Sequence, residues 1–194
     1  MQRLTASDLM SLEQYTRERP ALRARMIEYR RARQLSVGPH CTWNFEDRAT
    51  VHYQVQEMLR TERIFEPEGI ADELGAYNPL IPDGSNLKAT VLIEFTDAAE
   101  RARQLVALRG FERHCWLRVQ GCERVLGIPD EDLPRENEVK TSAVHFLRFE
   151  FAPAMIASLK AGAALAAGVD LGAYLYGVDP LPEPLRGALL ADFD

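Results

Sequence analysis

Between residues 87 and 170 the apolar pattern switches repeatedly between strand and helix periods, and the order of those switches limits the folds open to the chain. Residues 87–95 are almost continuously apolar, which predicts a buried strand. Thr96 or Asp97 can cap a helix that ends at Gly110, a residue suited to the left-handed turn after a helix. Residues 114–119 read as a strand, Gln120-Gly121 as a turn, and 122–126 as further extended chain. Residues 127–141 hold Pro129 and Pro134 among acids and amides and read as a loop. Residues 142–151 form the clearest strand, Pro153 opens a helix to about 161, and 163–169 form a last strand. Strand, helix, strand, strand, helix, strand is the order of a ferredoxin-like split βαβ sandwich. An α+β fold of that kind is expected for about 87–170.

The first 86 residues read as a helical extension that packs on this sandwich and adds one strand. Ser7 or Asp8 can cap a short helix containing Leu9, Leu12 and Tyr15. Pro20 suits the first turn of a second helix, which runs to about Arg33 with Leu22, Met26 and Tyr29 on one face. After the break at Val37-Gly38-Pro39, residues 40–46 alternate cleanly. Cys41, Trp43 and Phe45 fall on one face, with His40, Thr42, Asn44 and Glu46 on the other. Helices are expected over 49–65 and about 68–77, and Asn78-Pro79 and Pro82-Asp83-Gly84 are turn chemistry. The tail from 171, with Pro180, Pro182 and Pro184, is expected to wrap the surface. The whole chain of 194 residues is read as one domain.

Composition narrows the function classes. The net charge of −6 argues against general nucleic-acid binding, which works by neutralising phosphates. No apolar run is long enough for a membrane span, and the opening residues lack the apolar core of a secretion signal, so a cytoplasmic location is expected. Cys41, Cys115 and Cys122 form neither a disulfide framework nor a zinc-ligand spacing and are expected to be reduced. Nucleotide-binding glycine motifs and the GxSxG nucleophile elbow are absent from the sequence.

Three sets of residues could carry chemistry. Glu62 is the one carboxylate in the stripe 51, 55, 58, 62, 65. It either lies at the stripe's edge and reaches solvent, or is buried and needs a partner, a metal or a raised pKa. A metal site would have to be assembled from separate elements, for example His40 or His52 with Glu57 or Glu62. Such a set suits one iron, manganese or zinc ion. His145 shares a strand face with Leu147, Phe149 and Phe151 and is read as a hydrogen-bonded core histidine. Finally, segment 17–33 holds seven arginines against two glutamates, a net +5 in an acidic chain. It could neutralise the chain's own acidic loop 130–138 or attract an acidic partner. Arg23 and Arg30 here, with Arg60 and Arg63 on the following helix, are the expected partner-binding residues.

The stretches GPHCTWNFEDRATVHYQVQEMLRTERIFE (38–66) and ELGAYNPLIPDGSNLKATVLIEF (73–95) resemble the bacterial family DUF3501, a domain of unknown function. YQVQEML and YNPLIPDG are the most specific parts, and the resemblance spans nearly the whole chain. It implies a place beside a rubrerythrin-like protein or an iron–sulfur oxidoreductase, and so beside iron or peroxide chemistry. His52 stands where the family has arginine, which leaves His40, Glu57 and Glu62 as the metal candidates. Gly168-Val169-Asp170 resembles a family segment that continues His-Pro. Here it continues Leu171-Gly172, and no site is assigned there. The leading expectation is an accessory module that docks a redox protein through helix 49–65 and the arginine-rich helix. The alternative is a metal-binding protein or metalloenzyme built on His40, Glu57 and Glu62.

Overall fold

A computed structural model describes residues 2–129 and 140–193. The expected acidic loop 130–138 lies outside the described residues. The order is α1 (Leu12–Arg31), β1 (Gln34–Ser36), β2 (Cys41–Glu46), α2 (Arg48–Glu62), α3 (Pro67–Tyr77), β3 (Asn86–Ile93) and α4 (Ala98–Ala107). Then follow β4 (Cys115–Val119), β5 (Arg124–Leu126), β6 (Ile128–Pro129), β7 (Val144–Glu150), α5 (Pro153–Lys160), β8 (Leu165–Leu171), β9 (Tyr174–Val178) and α6 (Glu183–Leu190). The fold is mixed α+β, as expected. No helix is long and apolar enough to cross a membrane among the described residues.

The strands form two antiparallel sheets, in the orders β1-β2-β3-β7-β6 and β5-β4-β8-β9. This differs from the ferredoxin-like arrangement, in which all four strands of the repeat lie side by side in one antiparallel sheet. Here β3 and β7 are antiparallel neighbours in the first sheet, Asn86 opposite Glu150, but β4 and β8 leave them and pair with each other in the second. The periodicities that predict element type say nothing of which sheet a strand joins, which is why the expectation failed at that level.

The inward faces of both sheets share one core. Trp43, Phe45, Leu87, Val91 and Phe149 from the first meet Leu117, Val119, Ala167 and Val169 from the second, with Leu105, Leu159 and Leu189 added by helices. The Trp43 ring stacks on Phe149 at 5.4 Å. Burial of each large apolar side chain contributes about 1.5–3 kcal/mol. The 171–194 tail is part of this core rather than a surface wrap. It supplies edge strand β9 and helix α6, and Leu181, Leu185, Leu189 and Phe193 are buried. Arg33, 3% exposed, holds it in place by donating to the Asp192 carboxylate and to the backbone carbonyl of Ala188. Asp47 lies 3.5 Å from the same guanidinium and accepts the Tyr29 hydroxyl.

The outward face of the first sheet is polar, as the alternation in β2 predicts, and a helical layer lies across it. A second apolar cluster of Leu4, Val51, Val55, Leu59, Leu74 and Ile81 joins α2, α3 and the N-terminal segment. Side-chain amides stitch this layer together. Gln56 accepts from Met10 N at 2.6 Å, and Asn78 both accepts from Leu4 N (2.7 Å) and donates to Leu4 O (2.9 Å). Helix α1 departs from expectation. One 20-residue helix, capped by Ser11, replaces the two expected, and Pro20 lies inside it. Proline there removes a hydrogen bond to the Thr16 carbonyl. Both residues are exposed, so water can replace the missing donor.

Candidate functional site

The three expected metal ligands do not converge. Glu57 is held on α2 by its own chain. Arg19 of α1 donates to both its oxygens (Nε to Oε1, 2.7 Å; Nη2 to Oε2, 2.8 Å), Tyr15 donates its hydroxyl to Oε1 at 2.7 Å, and Arg60 Nε lies 3.5 Å away. The Arg19 hydrogen bonds hold the Glu57 carboxyl at about 2, well below its ordinary range. A carboxylate so occupied is a clamp between α1 and α2 rather than a free ligand. Glu62 is the exposed last residue of α2, in line with the edge reading. The inward face of α2 runs through Val51, Val55 and Leu59, so the stripe followed from sequence rotates outward past Met58, and Phe65 lies exposed beyond the helix end. His40 sits at the start of β2, its ring stacked on Phe95 at 4.1 Å and Nδ1 3.1 Å from the Glu94 carbonyl. His40, Glu57 and Glu62 share no contact. No group of three or more His, Cys, Asp or Glu side chains is arranged to hold a metal among the described residues.

The remaining histidines and cysteines are accounted for locally. His145 is buried, its Nε2 2.9 Å from the Ser142 carbonyl and 3.2 Å from the Thr141 hydroxyl, the core histidine expected. His52 Nε2 meets the Asp8 carbonyl at 2.9 Å. Cys41 and Cys115 are buried free thiols. Burial pushes Cys41 up to about 12 and raises Cys115 too, which makes both poor nucleophiles.

The arginine-rich segment 17–33 divides into arginines that hold the fold and arginines that do not. Arg33 is buried, Arg19 clamps Glu57, and Arg31 meets Glu28 at 2.8 Å on the surface. Arg23 and Arg25 are exposed and pair with no carboxylate among the described residues. Of the 20 residues in α1, Tyr15 alone is buried. Helices this long normally owe their stability to a buried face. The inward side of α1 instead becomes open beyond Arg19, where α1 and α2 separate around a groove of about 540 Å³. Leu22, Met26 and Tyr29 line it from α1, and Ala49, His52 and Tyr53 from α2. Arg25 and Arg48 border it, Arg48 bound to Asp8 at 2.6 Å. Arg60 and Arg63 lie at the far end of α2. Arg63 is exposed and caps the helix in the left-handed conformation at φ 56°. Arg30 turns the other way, its guanidinium 5.7 Å from the centre of the Tyr53 ring.

The groove's apolar wall was legible as the Leu22, Met26, Tyr29 stripe, but that this stripe stays half uncovered was not. The stretches YQVQEML and YNPLIPDG are brought together by the fold. Gln54 of the first and Tyr77 and Leu80 of the second line a common cleft above the polar sheet face.

Comparison with known proteins is consistent with the resemblance. No curated protein matches the chain. A crystal structure of a protein of unknown function from Burkholderia pseudomallei K96243 matches with a TM-score of 0.95 and 44% identity, over 100% of both chains. The family model described as "Protein of unknown function (DUF3501)" matches residues 3–193, nearly the whole chain. The chain therefore belongs to the DUF3501 family.

Proposed function

We propose that the protein is a partner-binding module whose α1–α2 groove receives an acidic, amphipathic segment of another protein. The observation that carries this reading is α1 itself: a long helix with one buried residue, beside an apolar groove bordered by Arg25, which pairs with no carboxylate among the described residues. Helix-in-groove recognition needs apolar anchors at helical spacing in the ligand and a groove to receive them. Leu22, Met26, Ala49 and Tyr53 form such a receptor surface. Arg25 on its border, with Arg23 exposed two residues before it on the same helix, would steer acidic flanking residues and raise the association rate. A rubrerythrin-like or iron–sulfur redox protein, the partner class the family resemblance implies, is the first to be tried.

The test is quantitative co-purification from the native host with the wild-type chain and with the double variant Arg23→Glu/Arg25→Glu, at low and high salt. An acidic protein retained by the wild type, lost in the variant and weakened by salt is the expected result. Identical recovery by both chains would refute the groove as the binding surface.

A further inference from the structure

We infer that the cleft between the helical layer and the first sheet is a binding site for a small zwitterion, an α-amino acid with an apolar side chain. The cleft is distinct from the α1–α2 groove and has a volume of about 300 Å³, at the lower end of the range for small-molecule sites. Its floor is the outward face of β2, β3 and β7, and its roof is α2 with the turn after α3.

Two opposite charges line this one cavity without pairing. Glu46 is held from below: its Oε1 accepts the Thr90 hydroxyl and its Oε2 the Thr50 hydroxyl, each at 2.6 Å. These are neutral donors, and no cation lies within ion-pair distance of Glu46 among the described residues. Arg30 reaches the cavity from α1, with the Tyr53 ring against its guanidinium and no carboxylate partner among the described residues. Carboxylates and guanidinium groups in a half-enclosed space normally pair, because each lowers the other's desolvation cost. Here the threonine hydroxyls engage Glu46, and the Tyr53 ring lies against Arg30. A ligand that carries both an ammonium and a carboxylate satisfies both: the ammonium donates to Glu46, and the carboxylate accepts from Arg30. Leu80, Leu92 and Phe146 supply the apolar wall for the ligand's side chain. Gln54, whose amide has no partner among the described residues, is a further polar group facing the cavity.

Isothermal titration of the full chain with L-leucine and L-phenylalanine tests the site. Saturable binding is expected, weakened by about tenfold or more (~1.4 kcal/mol) in Glu46→Gln and likewise in Arg30→Gln. Arg30→Lys, which keeps the charge, retains binding. L-phenylalaninamide, which lacks the carboxylate, should bind the wild type and Arg30→Gln equally. Thermal melts confirm that each variant is folded before its titration is read. Absence of binding by both amino acids at roughly 10 mM, above the range where even weak few-contact ligands register, would overturn the inference. Equal binding by the wild type and both variants would overturn it too, and loss in only one variant would rule out a zwitterion.

Discussion

Replacing Glu57 by glutamine is expected to loosen the α1–α2 clamp, with a loss that depends on pH in a specified direction. The Glu57 carboxyl moves from its ordinary 4.5 to about 2 in the folded protein, chiefly through the hydrogen bonds from Arg19. A depressed carboxyl stabilises the fold above its unfolded value, and the contribution is lost as pH falls through the folded value. The contribution is therefore complete above about pH 5 and gone near pH 2. Converted in full, a shift of this size approaches ~3 kcal/mol. The Arg19 side chain is 32% exposed and Glu57 18% exposed, so solvent screening reduces this to about 1–2 kcal/mol. In a chain of this size that is a fall of roughly 2–8 °C in melting temperature at neutral pH. Glutamine keeps the shape and an acceptor for Tyr15 but has no charge to titrate. Urea or thermal unfolding of the wild type and Glu57→Gln from pH 7 to pH 2.5 measures the difference. The gap should be widest at pH 7 and close as the pH approaches 2.5. A gap that stays constant, or widens in acid, would refute the assignment of Glu57 as a charge clamp.

Three other outcomes follow from the packing. Pro20→Ala should raise the melting temperature, since it restores a helical hydrogen bond to Thr16 in an exposed turn, with ~3 kcal/mol as the upper bound. Gly168→Ala should destabilise by about 1–3 kcal/mol. A Cβ there would lie 2.3 Å from the Trp116 ring, displacing it from Arg124, which stacks on it at 4.2 Å, and from the Asp170 carboxylate. Tryptophan fluorescence read alongside thermal melts checks this. Thiol titration of the native protein should modify Cys122 alone, with Cys41 and Cys115 reacting only after denaturation, because burial keeps both thiols protonated.

Residue patterns revealed element type well where one periodicity dominated. The alternation of Cys41, Trp43 and Phe45 marked β2 and its buried face, and Asp97 and Pro153 marked the starts of α4 and α5. Signals failed where they were local and tertiary contacts overrode them. Pro20 is a good helix-start signal in isolation, yet it sits inside α1 because that side of the helix is solvated. The proline-rich tail reads as surface chain, yet Leu181, Leu185 and Leu189 are spaced to enter the core. The Glu62 stripe failed by rotation, since Leu59 rather than Met58 faces inward and the helix ends at Glu62.

By itself the sequence determined the α+β class, most element positions, the core histidine, the polar outer face of β2 and the family. Each of these depends on spacing along one element or on direct similarity over a long stretch. Only the tertiary structure decided that the strands divide into two sheets, and that Glu57 is neutralised by Arg19 while Glu46 and Arg30 share a cleft unpaired. Those facts depend on which distant segments meet, and a period along one chain segment carries no information about the segment it will pack against.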